Sequence, residues 1–171
     1  MVNNTVNIYI VDGTYNETIS IKGFTGSGSI NIYGHTGAIG DYLLLNNIII
    51  TNCGCTVLIN GFKPTSTTAH GIVVNGCPDV TLLNTKVDAT ASSYAALQVA
   101  NSNVYVDQYS YSNRGYGILA NRCAIITACN GAGSGNTIGL SATFASTIGK
   151  YSSAQCTGTT NELTVSGGTI K

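Results

Sequence analysis

Short stretches in which apolar residues alternate with polar or aromatic ones recur along the whole chain. Examples lie at residues 6–10, 19–21, 30–33 and 104–106. This two-residue period is typical of half-buried β-strands, whereas the 3.6-residue period of an amphipathic helix is not found. Clusters rich in Gly, Asn and Ser follow most of these stretches, as turns require. The pattern predicts an all-β protein made of many short strands.

Four of the strand segments resemble one another and follow at a nearly constant spacing. They begin at Gly71, Ala96, Gly117 and Gly139, which are 25, 21 and 22 residues apart. A second strand segment follows at 80–82, 104–106 and 124–126. A period of about 20 to 25 residues with strands and no helices is typical of a β-solenoid, in which each coil pairs with its neighbours. We predict a single-stranded right-handed parallel β-helix of about seven coils of roughly 22 residues, forming one domain over residues 1–171.

Asparagine returns after the first strand of three coils, at Asn75, Asn101 and Asn121. Stacked amides at such a position can bond to one another along the rod. Asparagine also tolerates the left-handed backbone conformation that a tight corner needs. Both interpretations stay open, and both favour the same fold.

An antiparallel β-sandwich is the competing architecture, since it also contains short strands and frequent turns. It requires hairpins, whose best candidates are Asn60-Gly61 and Asn75-Gly76. Neither dipeptide lies between two clean alternating runs, as a two-residue hairpin would require. The sandwich is therefore the weaker prediction.

Charge and hydropathy exclude several classes of partner. Only 8% of residues are charged, and seven basic residues balance seven acidic ones. A clustered basic face is the usual mark of a nucleic-acid-binding protein, so we expect no nucleic-acid partner. The longest apolar run, at 42–50, is interrupted by Asn46 and Asn47 and is far shorter than the roughly 20 residues that span a bilayer. We expect no membrane insertion.

The six cysteines are expected to be buried thiols, because nothing in the sequence places folding in an oxidising compartment. Cys53-Gly54-Cys55 is too tightly spaced for a zinc knuckle, and neither His35 nor His70 completes a ligand set. We expect neither a metal site nor a cofactor.

The stretch 8–17, with its Asp-Gly-Thr-Tyr-Asn-Glu motif, and the following stretch 19–34 resemble the first coils of pectin-lyase-like β-helices. The likeness is greatest to those in tail and neck-appendage proteins of phages and prophages of Gram-positive bacteria. Residues 57–62 and the Thr-Ile-Gly-Lys motif at 147–150 are similar to that family as well. The resemblance implies a distal part of a virion tail, often homotrimeric, that binds a bacterial surface polysaccharide and in some members cleaves it.

Cleavage would need paired carboxylates, or a calcium cluster with a basic residue. Within their own repeats, Asp79 lies 8 and Asp88 lies 17 residues after Gly71, whereas Asp107 lies 11 residues after Ala96. These carboxylates are therefore not expected to stack in register. We expect no catalytic residues in this segment.

The sharper functional signal is a tyrosine-rich stretch. If Val104 and Val106 face the core, alternation directs Tyr105, Asp107, Tyr109 and Tyr111 outward. Aromatic rings beside polar groups suit sugars, yet tyrosine is also enriched at subunit interfaces. The candidate glycan-contact residues are Tyr94, Tyr105, Asp107, Tyr109, Tyr111, Arg114 and Tyr116.

Two further features concern the surface. Tyr9 and Tyr33 are expected to point outward and to pack across neighbouring coils. The polar stretch 63–68, marked by Pro64, is the best candidate for a protruding loop.

The leading hypothesis is therefore a tail fibre or spike module that recognises a bacterial cell-surface glycan without catalysis of its own. A glycan depolymerase of the same fold and a structural spacer of a tail assembly are the alternatives. The chain starts without the basic and apolar segments of a signal peptide and is expected to be a segment of a longer tail protein, placed in the virion tail.

Overall fold

The computed structural model describes residues 1–35 and 43–171, without the side chains of Leu43 and Leu44. These residues form seventeen β-strands. In chain order the strands are β1 (Thr5–Tyr9), β2 (Ile19–Lys22), β3 (Ser29–Tyr33), β4 (Leu43–Leu45), β5 (Ile48–Thr51), β6 (Thr56–Pro64), β7 (Ile72–Asn75), β8 (Val80–Val87), β9 (Ala91–Ala100), β10 (Asn103–Asp107), β11 (Ser110–Tyr111), β12 (Arg114–Asn121), β13 (Ile125–Cys129), β14 (Asn136–Thr143), β15 (Thr147–Lys150), β16 (Gly158–Val165) and β17 (Thr169–Ile170).

The strands stack into two parallel sheets that wind around one core. The ten-stranded sheet follows the order β1-β3-β6-β8-β10-β13-β15-β17, with β4 beside β6 and β11 beside β8. The seven-stranded sheet follows the order β16-β14-β12-β9-β7-β5-β2. The protein is thus an all-β parallel solenoid of about seven turns with a spacing of ~23 residues, as the repeat predicted. All named strand pairs in the described ranges are parallel, which rules out the sandwich.

The sequence repeat matches the register of the seven-stranded sheet residue by residue. Ile72 pairs with Leu97, Leu97 with Ile118, and Ile118 with Leu140. The second segment of the repeat matches the ten-stranded sheet in the same way, because Val104 pairs with Val80 on one side and Ile126 on the other. The spacing predicted from the residues is confirmed.

Inward-facing side chains form columns of branched aliphatic residues along the rod. Residues that occupy equivalent positions in successive coils touch one another, so the core is continuous rather than divided among coils. Members with no exposed surface include Ile48, Ile50, Val57, Ile59, Ile72, Val74, Leu82, Leu97, Val99, Val106 and Ile118. In the described part of the chain, no helix is long and apolar enough to cross a membrane.

One corner of the solenoid is built in the same way in every coil. Each coil leaves its strand of the seven-stranded sheet through a residue with positive φ, and these residues follow one another in register. They are Gly23 (φ 72°), Asn52 (φ 55°), Gly76 (φ 68°), Asn101 (φ 47°), Arg122 (φ 52°), Phe144 (φ 51°) and Ser166 (φ 52°). The corner therefore depends on a left-handed conformation that glycine and asparagine adopt most readily.

The repeated asparagines agree in part with each interpretation, namely hydrogen-bonded amides along the rod and left-handed corner residues. Asn101 is left-handed, and its Nδ2 donates to Oδ1 of Asn75 at 3.3 Å. Asn121 is aligned with Ala100 instead of Asn101, and its buried Oδ1 has no partner among the described residues. The three amides do not form one ladder.

A ladder of hydrogen bonds runs beside this corner and uses cysteine and serine. The backbone N–H of Cys53 donates to Sγ of Cys77, and the N–H of Cys77 donates to Oγ of Ser102. Further along the rod, the N–H of Ala124 donates to Oγ of Ser146 at 3.1 Å. All six cysteines are free thiols, as predicted, although Cys123 is exposed.

Candidate functional site

The seven predicted glycan-contact residues lie in three different environments. Tyr105 and Asp107 lie on the outer face of the ten-stranded sheet, in β10. Tyr94 and Tyr116 are half-buried in β9 and β12, which belong to the seven-stranded sheet. The remaining three, Tyr109, Tyr111 and Arg114, are buried. The stretch does not form a single tyrosine surface.

The expectation that Tyr109 and Tyr111 point outward is wrong. Gln108 has φ 53° and lies between β10 and β11, so the two-residue alternation of β10 does not continue past it. The equivalent residues Gly61, Asn84 and Asn130 are also left-handed. This second corner turns the following tyrosines into the core.

Both buried tyrosines have partners for their hydroxyl groups. Their rings lie 4.7 Å apart, and the Tyr111 hydroxyl shares a 2.9 Å hydrogen bond with Oγ1 of Thr85. The Tyr109 hydroxyl donates to Oε1 of Gln155. Burial raises the pKa of Tyr109 strongly. These tyrosines stabilise the interior and are closed to a glycan.

Arg114 is also buried, with 1% of its surface exposed, and it binds backbone carbonyls instead of a ligand. Nη1 donates to the carbonyls of Ser66 at 2.7 Å and Ala89 at 2.8 Å. Nη2 donates to the carbonyls of Ala69 at 2.6 Å and Ala95 at 3.3 Å. Burial lowers the pKa of the guanidinium. Its predicted place beside exposed tyrosines is therefore corrected: Arg114 joins three coils from inside.

The guanidinium of Arg114 also contacts the stretch 63–68, which was predicted to be a protruding loop. Lys63 and Pro64 complete strand β6 and Ser66 is buried, so within the stretch 63–68 only the three threonines, Thr65, Thr67 and Thr68, are exposed. The backbone of Ser66 is held both by Arg114 and by its own N–H, which donates to the carbonyl of Asn46. The loop is part of the wall of the solenoid.

Tyr105, an exposed member of the predicted set, lines a shallow groove on the ten-stranded sheet, here called the Tyr105 groove. It has a volume of about 280 Å³. Its lining residues are Asp79, Val80, Asn103, Val104, Tyr105, Ile125 and Thr127. Tyr105 is 39% exposed and Ile125 is 53% exposed, so two apolar surfaces open to solvent beside amide, hydroxyl and carboxylate groups.

The register explains how the groove forms. Asn103 pairs with Ile125, and Tyr105 pairs with Thr127 one coil further along the rod. On the other side, Val104 pairs with Val80, which places Asp79 beside Asn103. The groove therefore crosses three successive coils. Asn103, Ile125 and Thr127 were missed from sequence because only the register between coils shows that they lie beside Tyr105.

Asp107 holds the Tyr105 ring at the edge of the groove. Its Oδ2 accepts from the Tyr105 hydroxyl at 3.2 Å, and its Oδ1 accepts from the N–H of Gln108 and from Nδ2 of Asn130, each at 2.8 Å. Hydrogen bonding with Cys129, followed by desolvation and by Asp107, raises the pKa of Tyr105 to about 12. Tyr105 is thus a neutral phenol at physiological pH, anchored through its hydroxyl.

The carboxylates do not stack, as the sequence spacing predicted. Asp79 lies beside Asn103, whereas Asp107 pairs with Leu83. With ~3.3 Å per residue along a strand and ~4.8 Å between strands, the backbones at Asp79 and Asp107 are about 14 Å apart. Glycosidase carboxyl groups lie about 5 to 9.5 Å apart, so these two residues do not form such a pair.

A second set of outward side chains lies on the same sheet near the start of the rod. The rings of Tyr9 and Tyr33 stack at 5.0 Å with an angle of 15°, which confirms the predicted packing across coils. Beside them, Nδ2 of Asn31 donates to Oδ1 of Asn7 at 2.9 Å. Polar and aromatic side chains therefore recur along this outer face.

No protein-family model matches the sequence, and neither a curated protein nor a solved structure matches it. Its class is defined by the fold: a parallel β-solenoid whose ten-stranded sheet carries an open groove.

Proposed function

We propose that this chain is a β-helix module of a phage-like tail fibre or spike that attaches the particle to a bacterial surface polysaccharide without catalysis of its own. The β-solenoid fold is compatible with tail-spike and glycan-binding roles. The observation that carries the proposal is the Tyr105 groove, in which an exposed aromatic ring lies beside hydrogen-bonding side chains. The virion location rests on the resemblance of residues 8–34 to tail proteins.

The chemistry of the groove suits a sugar chain. The C–H face of a pyranose packs against aromatic and aliphatic surfaces, which Tyr105 and Ile125 offer. Sugar hydroxyl groups need donors and acceptors, which Asn103, Thr127 and Asp79 supply around those surfaces. Three coils extend over about 10 Å at ~4.8 Å per step, which is the scale of a few sugar units.

The geometry also favours binding because the main contact residue is already held in place. Asp107 accepts the Tyr105 hydroxyl, and two further donors fix Asp107 itself. A ring that is fixed before binding loses little conformational entropy on contact with a ligand. This arrangement supports recognition by a rigid surface.

A glycan array, followed by titration of the best polysaccharide, tests the proposal. Tyr105→Ala is expected to weaken binding about fivefold or more, because loss of an aromatic ring that stacks on a ligand ring costs roughly 1 to 3 kcal/mol. Tyr151→Ala is the matched control, because Tyr151 is 82% exposed and does not line the groove. An array without any bound glycan, or an equal loss in both variants, would contradict the proposal.

We also propose a homotrimer, which the resemblance to tail proteins suggests. Light scattering in solution measures the mass of the assembly against the 17.6 kDa of one chain. A mass three times that of the chain agrees with the proposal, and the mass of a monomer overturns it.

A further inference from the structure

Two lysines stack in neighbouring coils away from the Tyr105 groove. Lys63 lies in β6 and Lys86 lies in β8, and the parallel pairing of Phe62 with Thr85 places the next residues, the two lysines, side by side. Strands in a sheet are about 4.8 Å apart. Like charges on neighbouring strands destabilise a sheet unless an opposite charge lies between them.

Asp88 supplies one opposite charge for the two cations. Its Oδ2 lies 2.9 Å from Nζ of Lys63 and 3.3 Å from Nζ of Lys86. Partial burial acts to raise the pKa of Asp88, yet hydrogen bonds and charge attraction from both lysines lower it overall, so the carboxylate is ionised. The three side chains together carry one net positive charge.

A third cation lies behind this cluster. Arg114 donates to the carbonyl of Ala89, the residue after Asp88, and to the carbonyl of Ser66, three residues after Lys63. Burial, and after it the charge of Arg114, lowers the pKa of His70. Arg114 thus adds a third positive charge near Lys63 and Lys86, although the formal charge of the whole chain is +0.

We propose that Lys63 and Lys86 form a binding subsite for an oxyanion group, either a carboxylate or a phosphate carried by a ligand. The side chains of the two lysines are 25% and 34% exposed, so their ammonium groups can be reached from solvent. Asp88 uses one oxygen to hold both ammonium groups and leaves their other N–H donors for the ligand. The site is separate from the Tyr105 groove and does not depend on the proposed glycan role.

Titration of the whole chain with small probes, followed by NMR of the backbone amides, tests the subsite. The probes are inorganic phosphate, D-glucuronate and, as the uncharged reference, D-glucose. Saturable shifts of the backbone amides of Lys63, Thr65, Ser66 and residues 86–88 are expected with an anion and not with glucose. The anion that binds with the lower Kd shows whether the natural ligand carries a phosphate or a carboxylate.

Substitution of both lysines, Lys63→Gln with Lys86→Gln, is expected to weaken anion binding by about tenfold or more, the loss expected for charge-assisted hydrogen bonds. Lys150→Gln is the matched control, since Lys150 forms a balanced pair with Glu162 at a similar exposure. An equal loss in the control, or shifts that do not saturate, would overturn the subsite. If the glutamine variant does not fold, the Lys63→Arg and Lys86→Arg variant must keep anion binding, and its loss overturns the proposal.

Discussion

Arg114 donates from Nη1 to the carbonyl of Ser66, 48 residues earlier in the chain, at 2.7 Å. Most contacts in a solenoid join adjacent coils, whereas this guanidinium also reaches a loop two coils away. It thereby supplies donors to the carbonyls of Ser66, Ala69 and Ala89, and it shares the carbonyl of Ala95 with the N–H of Gly71. The buried positive charge of Arg114 is surrounded by four backbone carbonyls, which accept hydrogen bonds from its Nη1 and Nη2.

Replacement of Arg114 is expected to destabilise the fold. Arg114→Gln leaves several buried carbonyls without a donor, and each such group costs about 1 to 3 kcal/mol. The free energy of unfolding measured in urea should fall by about 3 kcal/mol or more. Arg122→Gln is the control, because Arg122 is exposed and its loss should change stability by less than about 0.5 kcal/mol. Equal stability of the two variants would contradict the role given to Arg114.

His70 is expected to make stability depend on pH. Burial and the charge of Arg114 lower its pKa in the folded state, so the unfolded state binds a proton more readily. The contribution of His70 is therefore fully present above the unfolded pKa of about 6.5, and it is lost as the pH falls from there through the lower folded pKa. Thermal unfolding at a series of pH values between about 7.5 and 5 measures this loss.

The control for His70 is the His70→Asn variant, which keeps a hydrogen-bond acceptor for the N–H of Ala95 but does not titrate. The difference in melting temperature between the original chain and this variant should change across the same pH range. A difference in melting temperature that stays constant would show that His70 does not contribute to the pH dependence of stability.

At position 144, glycine is expected to give a more stable protein than alanine. The φ of Phe144, 51°, belongs to the left-handed corner, and the side chain is largely exposed, so little packing is lost on replacement. Phe144→Gly should be more stable than Phe144→Ala by about 1 kcal/mol, because only glycine removes the cost of this conformation. Denaturant unfolding of the two variants checks the difference, and a more stable alanine variant would contradict it.

The ionisation of Tyr105 provides a test of the groove geometry. Its pKa of about 12 depends first on hydrogen bonding with Cys129 and then on burial and Asp107. Cys129→Ala and, separately, Asp107→Asn are each expected to lower this pKa, as followed by NMR of labelled tyrosine. Cys123→Ala, which removes the exposed cysteine, should leave it unchanged. An unchanged pKa in the first two variants would mean that these groups do not contact the phenol.

The fold could be predicted from sequence because the sequence repeat and the strand register both result from the stacking of one coil on the next. Each coil must bury side chains over those of the coil before it, so residues such as Ile72 and Leu97 recur in matching positions. A single substitution or insertion at the surface does not hide this signal.

The candidate site was predicted only in part, because the alternation rule applies within a strand and not across a corner. It correctly placed Tyr105 outside and Val106 inside. The left-handed Gln108 then changed the face of Tyr109 and Tyr111, and a left-handed glutamine leaves no clear signal in sequence. Asn130 was missed since its contact with Asp107 spans 23 residues.

The repeated corner at Gly76, Asn101 and Arg122 makes the coil an interchangeable unit of length. A deletion or duplication that starts and ends at equivalent corner residues would join one left-handed turn to another and keep the cross-section unchanged. The length of the rod can thus be adjusted in steps of about 4.8 Å, the distance between neighbouring strands, one coil at a time.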